Sequence, residues 1–182
     1  MDGINVENKE AISLLLRQGF EGQSLITHVE ADFDDIRRAD PLRPLPSWCK
    51  ISEYTPDHVE KMVVFVAELG MRQWVWGDWK DQYSTVDEKR VRVVAHEGDR
   101  IVGCVDVGIV PNSTAGVNYI SVADEHRHKQ IGSHLLRIAC RLAEERGGTS
   151  MFAGIVHRSL YEKNGWRVQR EFRKLSLTLR AA

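Results

Sequence analysis

The chain is poor in cysteine, in net charge and in long apolar runs. Its three cysteines, Cys49, Cys104 and Cys140, lie far apart and are odd in number. That excludes a disulfide framework and metal-type spacing, and points to reduced thiols that act as small buried apolar residues. A net charge of −1, with acids and bases interspersed, leaves no overall field to attract nucleic acid or an anionic membrane. Any anion site must therefore be local. No uninterrupted apolar stretch is long enough to span a bilayer, and Met1 to Asn5 has neither a basic nor an apolar leader region. The sequence reads as cytoplasmic, with neither nucleic acid nor membrane as a partner. Neither G-x-x-x-x-G-K-[ST] nor G-x-G-x-x-G occurs, which removes two common phosphate motifs. His28, His58, His134 and His157 show no metal-ligand spacing with acids or cysteines and read as surface or structural residues, so no metal is expected.

What is present suits one domain: 182 residues and 42% hydrophobic content can bury a real core. The clearest boundary is Asp40 to Pro46, where three prolines in six residues bar a helix. It divides residues 1–46, an N-terminal extension with a proline-rich linker, from a domain at 47–182. After the linker, Trp48 to Tyr54 alternates like a strand, and Thr55-Pro56 opens a helix that runs to about Leu69. A second helix is expected over Met71 to Val86. Strands at Val91 to His96, Ile101 to Val110 and Val117 to Val122 follow. Ile131, Leu135, Ile138 and Leu142 then recur at helical spacing until Gly147-Gly148. A strand at 150–156, a short helix at 159–164 and a final strand region at 167–179 complete the order β-α-α-β-β-β-α-β-α-β. This is an α/β (α+β) chain with a mixed, mostly antiparallel sheet flanked by helices.

The most informative segment runs from Val117 to Leu136, a strand, a loop and a helix start. Such a helix start offers unpaired N–H groups and a partial positive charge, which suit a pyrophosphate. Gly132 lets the backbone approach an oxygen closely, and Arg127, His128 and Lys129 add local positive charge. His126 is a further candidate for a phosphate contact.

Ile120-Ser121-Val122 followed by Arg127-x-x-Gln130-x-Gly132 resembles the acyl-CoA-binding signature of the GNAT (Gcn5-related N-acetyltransferase) superfamily, Arg/Gln-x-x-Gly-x-Gly/Ala. Gln130 stands where that signature has its first glycine, and the reading expects it to donate its N–H from an ordinary helical conformation. Leu160-Tyr161-Glu162-Lys163-Asn164-Gly165-Trp166 resembles the family's Tyr-Glu-Lys-x-Gly-Phe segment. The resemblance covers about residues 48–179. It implies the GNAT fold, acetyl-CoA as cosubstrate, and a cofactor site of Ile120, Ser121, Val122, Arg127, His128, Lys129, Gln130, Ile131, Gly132 and Ser133. It also implies Tyr161 as the general acid that protonates the departing thiolate.

A neutral primary amine attacks the thioester directly in such enzymes, and N–H groups near Ile120 to Val122 would polarise the carbonyl. Asp106, Glu125, His96 or an ordered water could serve as base, water being preferred. Trp74, Trp76, Asp78 and Trp79 are candidates for the amine pocket, against an ordinary core reading of the same rings. A small-molecule amine is the expected partner, and a homodimer stays open. The alternatives are a protein N-acetyltransferase and a non-catalytic acyl-CoA-binding or interaction domain. Leu15 to Glu21 matches Tyr161 to Arg167 in register, which suggests that residues 1 to about 40 are a degenerate GNAT half repeat; a helix that ends in Gly-Phe by chance is the other reading.

Overall fold

The computed structural model describes residues 3–69, 87–154 and 156–176. Eight strands form a single sheet: β1 (Ile4–Asn5), β2 (Glu21–Ala31), β3 (Cys49–Glu53), β4 (Arg90–Glu97), β5 (Arg100–Gly108), β6 (Thr114–Val122), β7 (Ser150–Ala153) and β8 (Arg167–Ser176), in the spatial order β1-β8-β2-β7-β6-β5-β4-β3. Among these pairs only β6 and β7 are parallel. Five α-helices are described: α1 (Lys9–Arg17), α2 (Phe33–Arg38), α3 (Val59–Glu68), α4 (Ile131–Glu145) and α5 (Arg158–Glu162). The sequence-based expectation of a mixed, mostly antiparallel sheet with flanking helices is what the chain adopts. The helix expected over residues 71–86 falls outside the described residues. None of the described helices is long and apolar enough to cross a membrane.

The larger core lies between the sheet and α4, where Ile131, Leu135, Leu136, Ala139, Cys140 and Ala143 are buried against β4, β5 and β6. Ile138 and Leu142, two of the four residues of the apolar stripe, pack only partly at its edge. The buried face is centred on small residues because Ala139 and Ala143 let the helix backbone come close to the sheet. On the other face α3 covers β5 with Met62, Phe65 and Val66, joined by Tyr54, Ile101 and Cys104. Covered on both faces, β5 is buried along most of its length.

The linker joins two parts of one sheet. β2 pairs with β7 on one side and β8 on the other, so the N-terminal segment is inserted between two strands that α5 connects. Two β-α-β units, β1-α1-β2 and β7-α5-β8, interleave. Their helices end alike. Gly19 (φ +86°) and Gly165 (φ +85°) occupy the left-handed region, while the next N–H, of Phe20 or Trp166, reaches back to the carbonyl of Leu15 (3.1 Å) or Tyr161 (3.2 Å). Ile26 and Phe172, at matching places in the two units, sit opposite each other in the β2–β8 pair.

Candidate active site

The sheet forks at β6 and β7. Their parallel pairing runs from Thr114 opposite Ser150 to Val117 opposite Ala153 and stops there, while β6 continues to Val122 along β5. The Ala123 N–H bonds to the Val102 carbonyl (2.9 Å), so strand alternation turns the N–H groups of Ile120 and Val122 the other way, toward the space that β7 leaves. A register shift between Asp106 and Val107 bends β6 at the mouth of this fork.

From the end of β6, a 3-10 turn at Asp124–His126 leads to the start of α4. The first N–H groups of that helix are free of intrahelical partners. Gln130 caps it at φ +62° and His128 stands at φ +63°. The helical conformation expected of Gln130 is therefore incorrect: the turn takes the left-handed shape that the family's glycine would take, at a cost of about 1–2 kcal/mol for a residue with a Cβ. Its side chain offsets part of this, since Oε1 accepts from the Arg43 N–H (2.7 Å) and His134 Nε2 bonds to the Arg43 carbonyl (2.8 Å). The proline-rich linker is thus strapped along α4, and Arg137 extends the strap to the Asp40 carbonyl (2.7 Å).

Gly132 faces Leu160 and Val122 across the top of the fork. A Cβ built there would lie 3.7 Å from both side chains, an ordinary contact, so the protein's own packing leaves room for one and does not require glycine. Arg127 sits at the mouth, with Nε 3.3 Å from the Val122 carbonyl and its guanidinium paired to Asp124 (2.7 Å). Lys129 bonds to the Glu125 carbonyl (3.0 Å) and lies over the Trp48 ring. Ile131 is buried, so only its backbone can serve a ligand. His126 is buried against Trp48 (ring centroids 4.9 Å) beside Glu97, which removes it from the phosphate contacts expected of it.

α5 brings Tyr161 to the same region, one residue beyond Leu160. Its ring is buried edge-on against Trp166 (4.9 Å), and burial, with Cys140 nearby, pushes the phenol well above its usual range. The joint between α4 and α5 is Asn164, fully buried: Nδ2 donates to Ser133 Oγ (3.0 Å) and to the Leu160 carbonyl (2.7 Å), and Oδ1 accepts from Arg137 Nε (2.8 Å). Ser133 is therefore tied to α5. Asn164, Arg137 and Arg43 were missed from sequence; Asn164 lay inside the tyrosine motif at its variable position. Of the expected cofactor residues, Arg127 to Ser133 lie at the start of α4 and Val122 touches it, Ile120 and Ser121 lie along β6, and Trp74, Trp76, Asp78 and Trp79 lie outside the described residues.

The candidate bases fare differently. Asp106 is clamped by Arg92 (2.7 Å), Arg90 (3.2 Å) and Asn118 (2.8 Å). Glu125 is exposed and held below the usual carboxylate range by its own backbone N–H and by Arg100. His96 bonds to Ser52 (3.0 Å) on the β3–β4 edge, away from the fork. All three cysteines are buried, and burial pushes their thiols up, so none is set to act as a nucleophile.

Residues 88–168, which contain the fork, the loop, α4 and α5, match the family model described as an acetyltransferase (GNAT) domain. The chain has a GNAT domain. Solved structures of GNAT proteins share its fold. A GCN5-related N-acetyltransferase from Sphaerobacter thermophilus superposes with a TM-score of 0.75 at 16% identity, over 94% of this chain and 56% of its own. A GCN5-related glucosamine N-acetyltransferase region of a fungal multi-domain GH3 β-N-acetylglucosaminidase gives 0.61 at 15%, over 95% of this chain and 23% of its own. The GNAT domain of S. lividans PAT gives 0.55 at 19%, over 69% and 90%. The chain spans about half the length of the Sphaerobacter protein and about a quarter of the fungal one. No curated protein matches the chain. Within the GNAT domain, the β6–β7 fork and the start of α4 form the candidate acyl-CoA site.

Proposed function

We propose that this protein is an N-acetyltransferase that transfers the acetyl group of acetyl-CoA to a primary amine, of a small molecule in the first instance, by direct attack in a ternary complex. The observation that carries this reading is the fork. Two strands part beside a helix start, with the N–H groups of Ile120 and Val122 turned into the gap and Gly132 leaving space above it.

The residues present fit acetyl-CoA. The free N–H groups at the start of α4, with Arg127, His128 and Lys129 around them, would hold the diphosphate. The N–H groups of Ile120 and Val122 would hold the extended pantetheine arm and orient the carbonyl. When bound, acetyl-CoA supplies a thioester whose carbonyl accepts the amine. Tyr161 keeps its proton on Oη because burial disfavours the phenolate, and it would give that proton to the departing sulfur.

The amine comes from the opposite face of the sheet. There a cavity of about 450 Å³ lies toward the closed end of the β6–β7 pair, lined by Glu30, Asp32, Thr114, Ser150, Phe152 and Arg167. Of its two carboxylates, Asp32 pairs with Arg167 (3.2 Å) and Glu30 accepts from Gln169 Nε2 (2.9 Å). The test is release of free CoA thiol from acetyl-CoA in the presence of a broad panel of amines. Amine-dependent release supports the transferase; acetyl-CoA binding without release from any amine favours a non-catalytic acyl-CoA-binding domain.

A further inference from the structure

Direct attack requires a group that takes the amine's proton, and Asp106, Glu125 and His96 are each paired or remote. His28 is neither. It lies on β2, in the N-terminal segment, and continuing the register of Val29 opposite Ala153 puts it opposite Gly154, the first residue after β7 ends at the fork. The absence of a side chain at Gly154 is what gives the imidazole its place: a Cβ there would come within 3.3 Å of both Cδ2 and Nε2 of His28. Phe152 meets the ring edge-on at 5.4 Å and Phe172 packs against it at 4.8 Å, fixing its orientation. Val29 belongs to the core on the α4 side of the sheet, so alternation puts His28 on the opposite face, where it meets Phe152. Among the described residues no group hydrogen-bonds to its ring nitrogens.

We propose that His28 is the general base of the transfer, supplied to the GNAT domain by the N-terminal strand β2. The inference rests on the acetyltransferase reading. As the amine nitrogen forms its bond to the acetyl carbon, its proton passes to Nε2 of His28; the carbon–sulfur bond breaks and the sulfur takes the proton of Tyr161 Oη. The charged groups facing His28 are Arg170, its cross-strand partner on β8, and Glu30, two residues along β2, which accepts from Gln169 Nε2 (2.9 Å). Among the described residues of β7 and the segment just after it, Phe152 and Gly154 are those that meet its ring.

The test compares wild type with His28→Gln and His28→Ala. The assays are CoA affinity by calorimetry, kcat/KM against pH with an accepted amine, and imidazole signals by NMR, with His28→Gln identifying that of His28. The expected result is unchanged CoA affinity and a loss of about a hundredfold in kcat/KM. The acid-side limb of the wild-type pH profile disappears, and added imidazole partly rescues His28→Ala. The His28 signal should also shift when an amine substrate is added to the CoA complex. Wild-type kcat/KM and pH profile in both variants would overturn the assignment, as would a parallel loss of CoA affinity and melting temperature without imidazole rescue, which marks a structural role. A wild type that binds CoA but acetylates no amine removes the transferase reading, and this inference with it.

Discussion

Gly165 illustrates how one residue serves both the helix end and the tertiary fold. Its φ of +85° disfavours any Cβ, and a Cβ there would also fall on the backbone carbonyl of Asp35 in α2. Gly147 has a similar φ of +91° but nothing within 4 Å of the added atom. Gly165→Ala should therefore lower the melting temperature by clearly more than Gly147→Ala, which bears only the backbone cost of about 1 kcal/mol, or roughly 2–4 °C in a chain of this size. Equal shifts in thermal melts would show that the contact with α2 yields freely. Tyr161 adds a pH consequence. Its folded value is raised above the ordinary 10, so the phenol keeps its proton through the alkaline range and the proposed general acid is not lost there. The helix end at Gly165 was legible from the sequence because its motif is local. The tie between Gly165 and Asp35 was not, since it spans two distant segments.

At the scale of the elements, α4 and the strands around it were readable from period and turn composition, within a few residues at each end. The loop before α4 was read correctly in place and incorrectly in shape. Gln130 adopts φ +62° because the turn into α4 demands it, and the side chain that makes this costly also fastens Arg43 of the linker. Pro44 favours an extended Arg43, which pre-sets the strap for this bond. Gln130→Gly should relieve the backbone while losing the bond, and so stay close to wild type in stability. Gln130→Ala keeps the strain and loses the bond, and should be destabilised by about 1 kcal/mol with weaker CoA binding. Thermal melts and CoA titrations of the pair check this; an alanine variant as stable as the glycine variant would contradict it.

Over the whole molecule, the sequence indicated the GNAT domain but not how the first forty residues join it. The likeness of Leu15–Glu21 to Tyr161–Arg167 was visible as a local pattern, and the two helix ends do share a conformation. The insertion of β2 between β7 and β8 had no local signal, because strand neighbours are chosen by long-range pairing and burial. That insertion makes the N-terminal segment part of the sheet interior. Deleting residues 1–31 should therefore leave β7 and β8 unpaired along facing edges and abolish cooperative unfolding, as followed by circular dichroism and gel filtration. A soluble, cooperatively folded remnant would mean that the two strands can close on each other. The most direct test of the central claim is thiol release from acetyl-CoA across an amine panel, wild type against Tyr161→Phe, from neutral pH to about pH 10. The account predicts amine-dependent release that holds through the alkaline range in wild type and falls by about a hundredfold in the variant, with CoA affinity unchanged. Failure of the wild type to bind acetyl-CoA, or full activity in Tyr161→Phe, would contradict it.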